Sequence, residues 1–133
     1  MKILLRAATI IDSKSPFHNQ TMDILIQDGY IKQIGVALPT NGAEEIQLPQ
    51  LQISSGWFDS SVSLGEPGFE DRETISNGLT VAAKSGFTAI ALQPNSYPII
   101  DNQSHINFVK SKAKEAATQL FPVGALTKES QGK

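Results

Sequence analysis

The stretch Gly56-Trp57-Phe58-Asp59-Ser60-Ser61-Val62-Ser63-Leu64-Gly65-Glu66-Pro67-Gly68 decides the fold, together with the alternating pattern of residues 70–126. The apolar residues around Trp57 and Phe58 predict a strand within Ile53 to Val62, and Glu66-Pro67-Gly68 supplies the turn chemistry that ends it. Trp57 and Phe58 are expected in the core. From Glu70 to Ser85, the residues Ile75, Leu79, Ala82 and Ala83 fall on one face of a helix, and Gly86 suits the left-handed conformation that closes it. Phe87 to Leu92 is an apolar run of the kind found in a strand covered on both faces, stopped by Pro94. A second helix is expected after the capping residues Asp101 and Asn102, with Ile106, Val109, Ala113 and Ala117 inward, and Leu120 to Leu126 is a third strand. Strands alternating with helices imply parallel pairing through right-handed crossovers.

Upstream of this stretch the period is different. Ile3 to Ile11 is rich in β-formers, and Thr21 to Ile26 alternates apolar and polar residues before Asp28-Gly29, a pair that favours a type I′ hairpin turn. Tyr30 to Ile34 is the return strand. Pro16, Pro39, Asn41-Gly42 and Pro49 punctuate the rest, so residues 1–52 predict a small antiparallel β unit, and 53–133 a separate α/β region.

Composition excludes several function classes. Eleven Lys and Arg against thirteen Asp and Glu leave a formal charge of -2 with no basic block, which argues against nucleic acid as a partner. With no cysteine there are no disulfides, thiolate metal sites or cysteine nucleophiles, in keeping with a reducing compartment. No apolar run approaches the ~20 residues that span a bilayer, and the first residues lack the apolar core of a signal peptide. A cytoplasmic chain without a membrane partner is expected.

In parallel α/β architectures, ligands gather at the carboxyl ends of the strands. Three segments lie there: Asp59 to Gly68, Gln93 to Pro98, and Gly124 to Lys128. Taken in order, they resemble dihydroorotase of the metal-dependent amidohydrolase superfamily. That family's pattern after its first barrel strand is Gly-φ-φ-Asp-x-His-x-His-φ-Arg-Glu-Pro-Gly, with φ apolar, and Gly56 to Gly68 follows its frame. The likeness continues through Phe69-Glu70, Glu73-Thr74, Ser85-Gly86-Phe87-Thr88, Gln93-Pro94-Asn95 and Gly124-Ala125-Leu126-Thr127-Lys128. It implies a composite β unit followed by the first βαβαβ of a TIM-like (β/α)8 hydrolase barrel, incomplete in this chain, since such barrels usually take about 250 residues. The open edge of the third strand would then need cover from the remainder of its own barrel or from a partner.

The departures from the pattern bear on function. The family's two strand-borne histidines bind a catalytic zinc; their positions hold Ser61 and Ser63 here, and neutral hydroxyls are poor zinc ligands. The family's arginine, implied to hold the substrate carboxylate, is Gly65. Asp59 matches the acidic residue before the histidine pair, and Asn95 matches the substrate-binding asparagine, although Asn95 is equally readable as a turn residue. No metal ligand and no catalytic residue is assigned in this chain, and no cofactor is expected in it, although the family uses zinc. His18 and His105 are read as surface or capping residues, and Glu66, Glu70, Asp71 and Glu73 as an acidic cluster favoured by a helix dipole.

The leading expectation is a catalytically inactive dihydroorotase-like protein of pyrimidine biosynthesis, a pseudoenzyme with a structural or assembly role. The resemblance implies aspartate transcarbamoylase as a partner and an oligomeric state. One alternative is an active cyclic amide hydrolase whose remaining metal ligands lie on later strands. Another is a small-molecule binding domain that reuses the strand-end pocket around Asn95.

Overall fold

Thr21–Gln27 (β2) and Tyr30–Gly35 (β3) pair antiparallel through Asp28-Gly29, both of which have positive φ, as the Asp-Gly pair predicts. In the computed structural model, which describes residues 1–132, this hairpin belongs to the first of two units, Met1–Ser55 and Gly56–Lys133. The strand Lys2–Ile10 (β1) pairs antiparallel with β2 on one side. On its other side it pairs parallel with two short strands, Glu44–Ile46 (β4) and Gln52–Ile53 (β5). The sheet is therefore mixed rather than wholly antiparallel. Ile53, expected to open the first barrel strand, pairs instead with Ile10.

A bulge in β1 decides how this sheet packs. Leu5 opposes Ile24 and Ala8 opposes Met22, so β1 spends one more residue than β2 and the alternation of faces is broken between them. Leu4 consequently packs with Leu25, Leu38 and Ala43 on one face, while Ala8 and Ile10 join Ile24 on the other. The bulge is held by the buried carboxylate of Asp23. It accepts the Ala7 N–H at 3.0 Å, the Leu38 N–H at 3.1 Å and an Arg6 Nη1–H at 2.7 Å. Arg6 reaches on to the Leu38 carbonyl, to Thr40 and to Glu45. The Ala7 amide is the main cause holding the Asp23 carboxyl below its ordinary range, with Arg6 adding to it, and Arg6 pulls Glu45 down to about 2.

The second unit is a three-stranded parallel sheet in the order Trp57–Val62 (β6), Phe87–Leu92 (β7), Gln119–Pro122 (β8). The helices Ile75–Lys84 (α1) and Gln103–Lys112 (α2) connect them. Thr74 caps α1 by accepting the Asn77 N–H, and Asn102 caps α2 by accepting the His105 N–H. One core holds the unit together: Leu64, Ile75, Leu79, Ile90, Leu92, Ile100, Val109 and Leu120. Among the described residues no helix is long and apolar enough to cross a membrane.

Several expected details change. Helix α1 starts at Ile75, not Glu70, because residues 65–73 fold into a loop with Phe69 N–H bonded to the Gly65 carbonyl and Gly65 N–H to the Glu73 carbonyl. No acidic residue lies in the first turn of α1; instead the buried Glu66 carboxylate accepts the Ile75 N–H at 2.9 Å and pairs with Lys112 at 2.8 Å. Helix α2 ends at Lys112, so Ala116 rather than Ala117 packs on the core. Strand β8 stops at Pro122 and leaves Leu126 exposed. Trp57 and Phe58 are 64% and 58% exposed rather than buried. The small residues Ala89 and Ala91 of β7 lie between Phe58 and Phe121 in register, and those two rings meet edge to face over them on the side away from the helices.

Candidate functional site

The carboxyl ends of β6 and β7 are shaped by a second bulge. Asp59 stands opposite Ile90 and Val62 opposite Leu92, so β6 spends one residue more than β7 over this interval. Ile90, Leu92 and Val62 all belong to the helix-covered core, which puts Asp59 on that side. Asp59 lines a cavity of about 230 Å³ against α1 that includes Glu73, Gly78 and Ala82. Ser61 and Ser63, the neighbours of Val62, are exposed and take the opposite side. The sequence pattern aligns Asp59 with the two serines, but the bulge separates them. The one link that remains is the Asp59 carboxylate accepting the Ser61 N–H at 2.9 Å.

Ser63 is the centre of a small polar cluster. Its Oγ accepts from Asn95 Nδ2 at 2.8 Å and from Arg72 Nη2 at 3.0 Å, and the same Arg72 nitrogen donates to the Leu64 carbonyl at 3.1 Å. The guanidinium also lies 6.0 Å from the Phe69 ring centre. Asn95 is thus at the site, joined to Ser63 across neighbouring strand ends. Arg72 is the residue that the sequence pattern did not single out. The signal was present, since Arg72 is the one arginine besides Arg6 and lies in the loop after Gly65.

Gly65 explains how that arginine arrives. A Cβ built at this buried position would overlap the Phe69 carbonyl oxygen and lie 2.7 Å from that of Glu73. Only a glycine lets the loop fold back so tightly, and the fold-back carries Arg72 to Ser63. Gly68 plays a similar part, with its missing Cβ replaced by the Tyr97 backbone of the β7 loop. The third segment stands apart: Ala125 N–H bonds to the Ile100 carbonyl and Glu129 N–H to Asp101. His105 is held at the start of α2, its Nδ1 2.7 Å from the Ile99 carbonyl and 3.4 Å from Asp101. His18, in the first unit, accepts the Asp12 N–H.

A zinc ion, which the resemblance implies, does not fit these residues. Ser61 and Ser63 offer neutral hydroxyls, the lone pairs of Ser63 are already taken by two donors, and Asp59 faces away. Among the described residues, no group of three His, Cys, Asp or Glu side chains is placed to hold a metal.

Comparison with known proteins agrees with this architecture. A family profile described as dihydro-orotase-like matches residues 51–133. The dihydroorotase of Pelotomaculum thermopropionicum is 38% identical over 132 residues, covering 99% of this chain and 31% of that protein. That of Ruminiclostridium cellulolyticum is 37% identical over 133 residues, with coverage of 99% and 31%. The chain thus spans about a third of the length of the curated relatives it matches. Among solved structures, a D-hydantoinase superposes with a TM-score of 0.72 at 22% identity, over 97% of this chain and 29% of that one. A dihydroorotase superposes with a TM-score of 0.68 at 18% identity, over 96% and 32%. At these identities the superpositions speak to fold alone, that of the N-terminal part of an amidohydrolase barrel.

Proposed function

The chain belongs to the dihydroorotase-like family, and from that premise we propose that it is a non-catalytic member with a structural role in pyrimidine biosynthesis. The observation that carries the reading is the polar cluster at the end of β6, where Ser63 is bonded to Asn95 and Arg72 instead of offering a metal ligand. Catalysis through a metal-activated water needs a defined set of strong ligands with an open position, and these residues supply none of that set. The partner in this reading is aspartate transcarbamoylase, in the cytoplasm.

Elemental analysis tests it. Purified protein is expected to carry no stoichiometric zinc after brief dialysis, whereas about one zinc per chain that survives mild chelation would support an active hydrolase instead. Co-sedimentation with aspartate transcarbamoylase tests the partner separately. A shifted boundary is expected, and unchanged sedimentation at micromolar concentrations of both proteins would remove the assembly role.

A further inference from the structure

We propose that an isoleucine-lined cavity in the first unit binds a small branched aliphatic primary ammonium, with the hydrocarbon among the isoleucines and the charge on Asp12. The cavity measures about 250 Å³, and Ile10, Ile24, Ile31, Ile34 and Ile53 make its apolar walls. Four strands supply them. Ile10 pairs with Ile53 and Ile24 with Ile34, so these side chains share one face of the sheet. Ile31 would face away from Ile34 in a regular strand. Between the pairs Ile24–Ile34 and Ile26–Ile31, however, β3 spends one residue more than β2, which returns Ile31 to the same face. Branching at Cβ leaves these side chains few rotamers, so the walls are set before a ligand arrives. An apolar cavity of about 150 Å³ holds benzene, and the larger one here has room for a branched chain of about four to six carbons.

The other end of the cavity is polar and consists of acceptors. Asp12, Ser15 and Ser54 line it where β1 and β5 finish side by side, joined by the Ile11 N–H to the Ile53 carbonyl at 2.7 Å. Asp12 Oδ1 accepts the Lys14 N–H at 3.0 Å, and among the described residues Oδ2 has no hydrogen-bond or ion-pair partner. Ser15 Oγ accepts the Phe17 N–H and Ser54 Oγ donates to the Ser55 carbonyl, each at 3.1 Å, so both oxygens keep a lone pair. A primary ammonium brings three N–H donors and no acceptor, which matches one carboxylate and two hydroxyl oxygens. An alcohol would bring one donor and a quaternary ammonium none. The nearby basic residues leave the charge of Asp12 unmatched. Lys14 Nζ lies within salt-bridge distance of no carboxylate among the described residues, and His18 Nδ1 accepts the Asp12 N–H, so that nitrogen carries no proton. The site shares no residue with the Ser63 cluster, so it and the non-catalytic reading can fail separately.

The experiment is a titration of the full 133-residue chain, labelled with ¹³C at the isoleucine δ1 methyls, with isopentylammonium chloride at neutral pH and constant ionic strength. Isopentanol carries the same hydrocarbon without the charge, and ammonium chloride the charge without the hydrocarbon. Saturable shifts of the Ile10, Ile24, Ile31, Ile34 and Ile53 methyls are expected, with a dissociation constant of about 0.2–5 mM, and isopentanol should bind at least about fivefold more weakly. Asp12→Asn, which keeps a side-chain oxygen for the Lys14 N–H, should weaken the ammonium about fivefold or more and leave isopentanol unchanged. Ile31→Lys, at a position already 60% exposed on the edge strand, puts the chain's own ammonium at the mouth and should abolish binding of both ligands. It decides the matter if Asp12→Asn does not fold. Shifts that rise linearly, or that survive Ile31→Lys, overturn the site. Equal affinity for isopentanol, unchanged affinity in Asp12→Asn, or the same shifts with ammonium chloride overturn the assignment of an aliphatic ammonium.

Discussion

Replacing Gly65 by alanine should destabilise the second unit far more than a surface loop substitution usually does. The added Cβ would fall on the Phe69 carbonyl oxygen and within 2.7 Å of the Glu73 carbonyl, both of them backbone atoms that no side-chain rotation can move. The loop must open to admit it. Opening forfeits the Gly65 N–H bond to Glu73 at 3.0 Å and the Phe69 N–H bond to Gly65 at 2.9 Å. Two such bonds at about 1 kcal/mol each, with a strain cost of similar size, give a loss of about 2–4 kcal/mol. Trp57 is the one tryptophan of the chain and lies in β6, so its fluorescence in urea reports on this unit. Gly124→Ala is the matched control, since its Cβ would meet only the Ile100 carbonyl at 3.9 Å; it should stay within about 0.5 kcal/mol of the parent. A Gly65→Ala loss below about 1 kcal/mol, with the Arg72 Nε resonance unmoved, would refute the claim that glycine is what permits the fold-back.

The same geometry predicts that Ser61→His, Ser63→His and Gly65→Arg together create no zinc enzyme: the arginine meets the backbone that excludes alanine, and elemental analysis with a ring-opening assay should show neither bound zinc nor activity above background. In the first unit, Asp23 and Glu45 have folded carboxyl pKa values below their unfolded ones, so the stability they add is complete above the ordinary carboxylate range and lost as pH falls below it, for Glu45 toward about 2. Faster exchange of the Ala7 and Leu38 amides over that interval is expected, and a pH-independent rate after correction for intrinsic exchange would contradict it. Asp23→Ala removes the acceptor of both amides and the 2.7 Å partner of Arg6, and should cost about 3 kcal/mol by thermal melts. Asn102→Ala should cost about 1 kcal/mol through loss of the α2 cap, read by Trp57 fluorescence in urea.

What was legible in the sequence was local. The Asp28-Gly29 turn needs only two residues that tolerate positive φ, and the structure has both there. Phe87 to Leu92 is bounded by Gly86 and by Pro94, and β7 spans those six residues. Elements whose limits depend on distant backbone were misplaced. The acidic residues from Glu70 to Glu73 have the composition of a first helical turn, yet the Gly65 and Phe69 bonds take them into a loop and delay α1 to Ile75. Likewise nothing near Glu44 or Gln52 announces that these residues add parallel to β1, because that pairing is set by register with Ile3 and Thr9 across the chain.

The site was legible as a list and not as a geometry. Ser63 and Asn95 were placed by their segments, and the structure does bring them together. Asp59 is matched to the family pattern by its position two residues before Ser61, and alternation keeps such residues on one face only while each strand spends residues at the same rate as its neighbour. One extra residue between Asp59 and Val62 sends the carboxylate toward α1. Arg72 fails the opposite test: no periodicity links it to Ser63, and only the tight turn at Gly65 makes them neighbours. The glycine that reads as a deletion of function is therefore also the residue that admits another arginine, and a substitution pattern alone cannot distinguish a site that has been emptied from one that has been rebuilt with different donors.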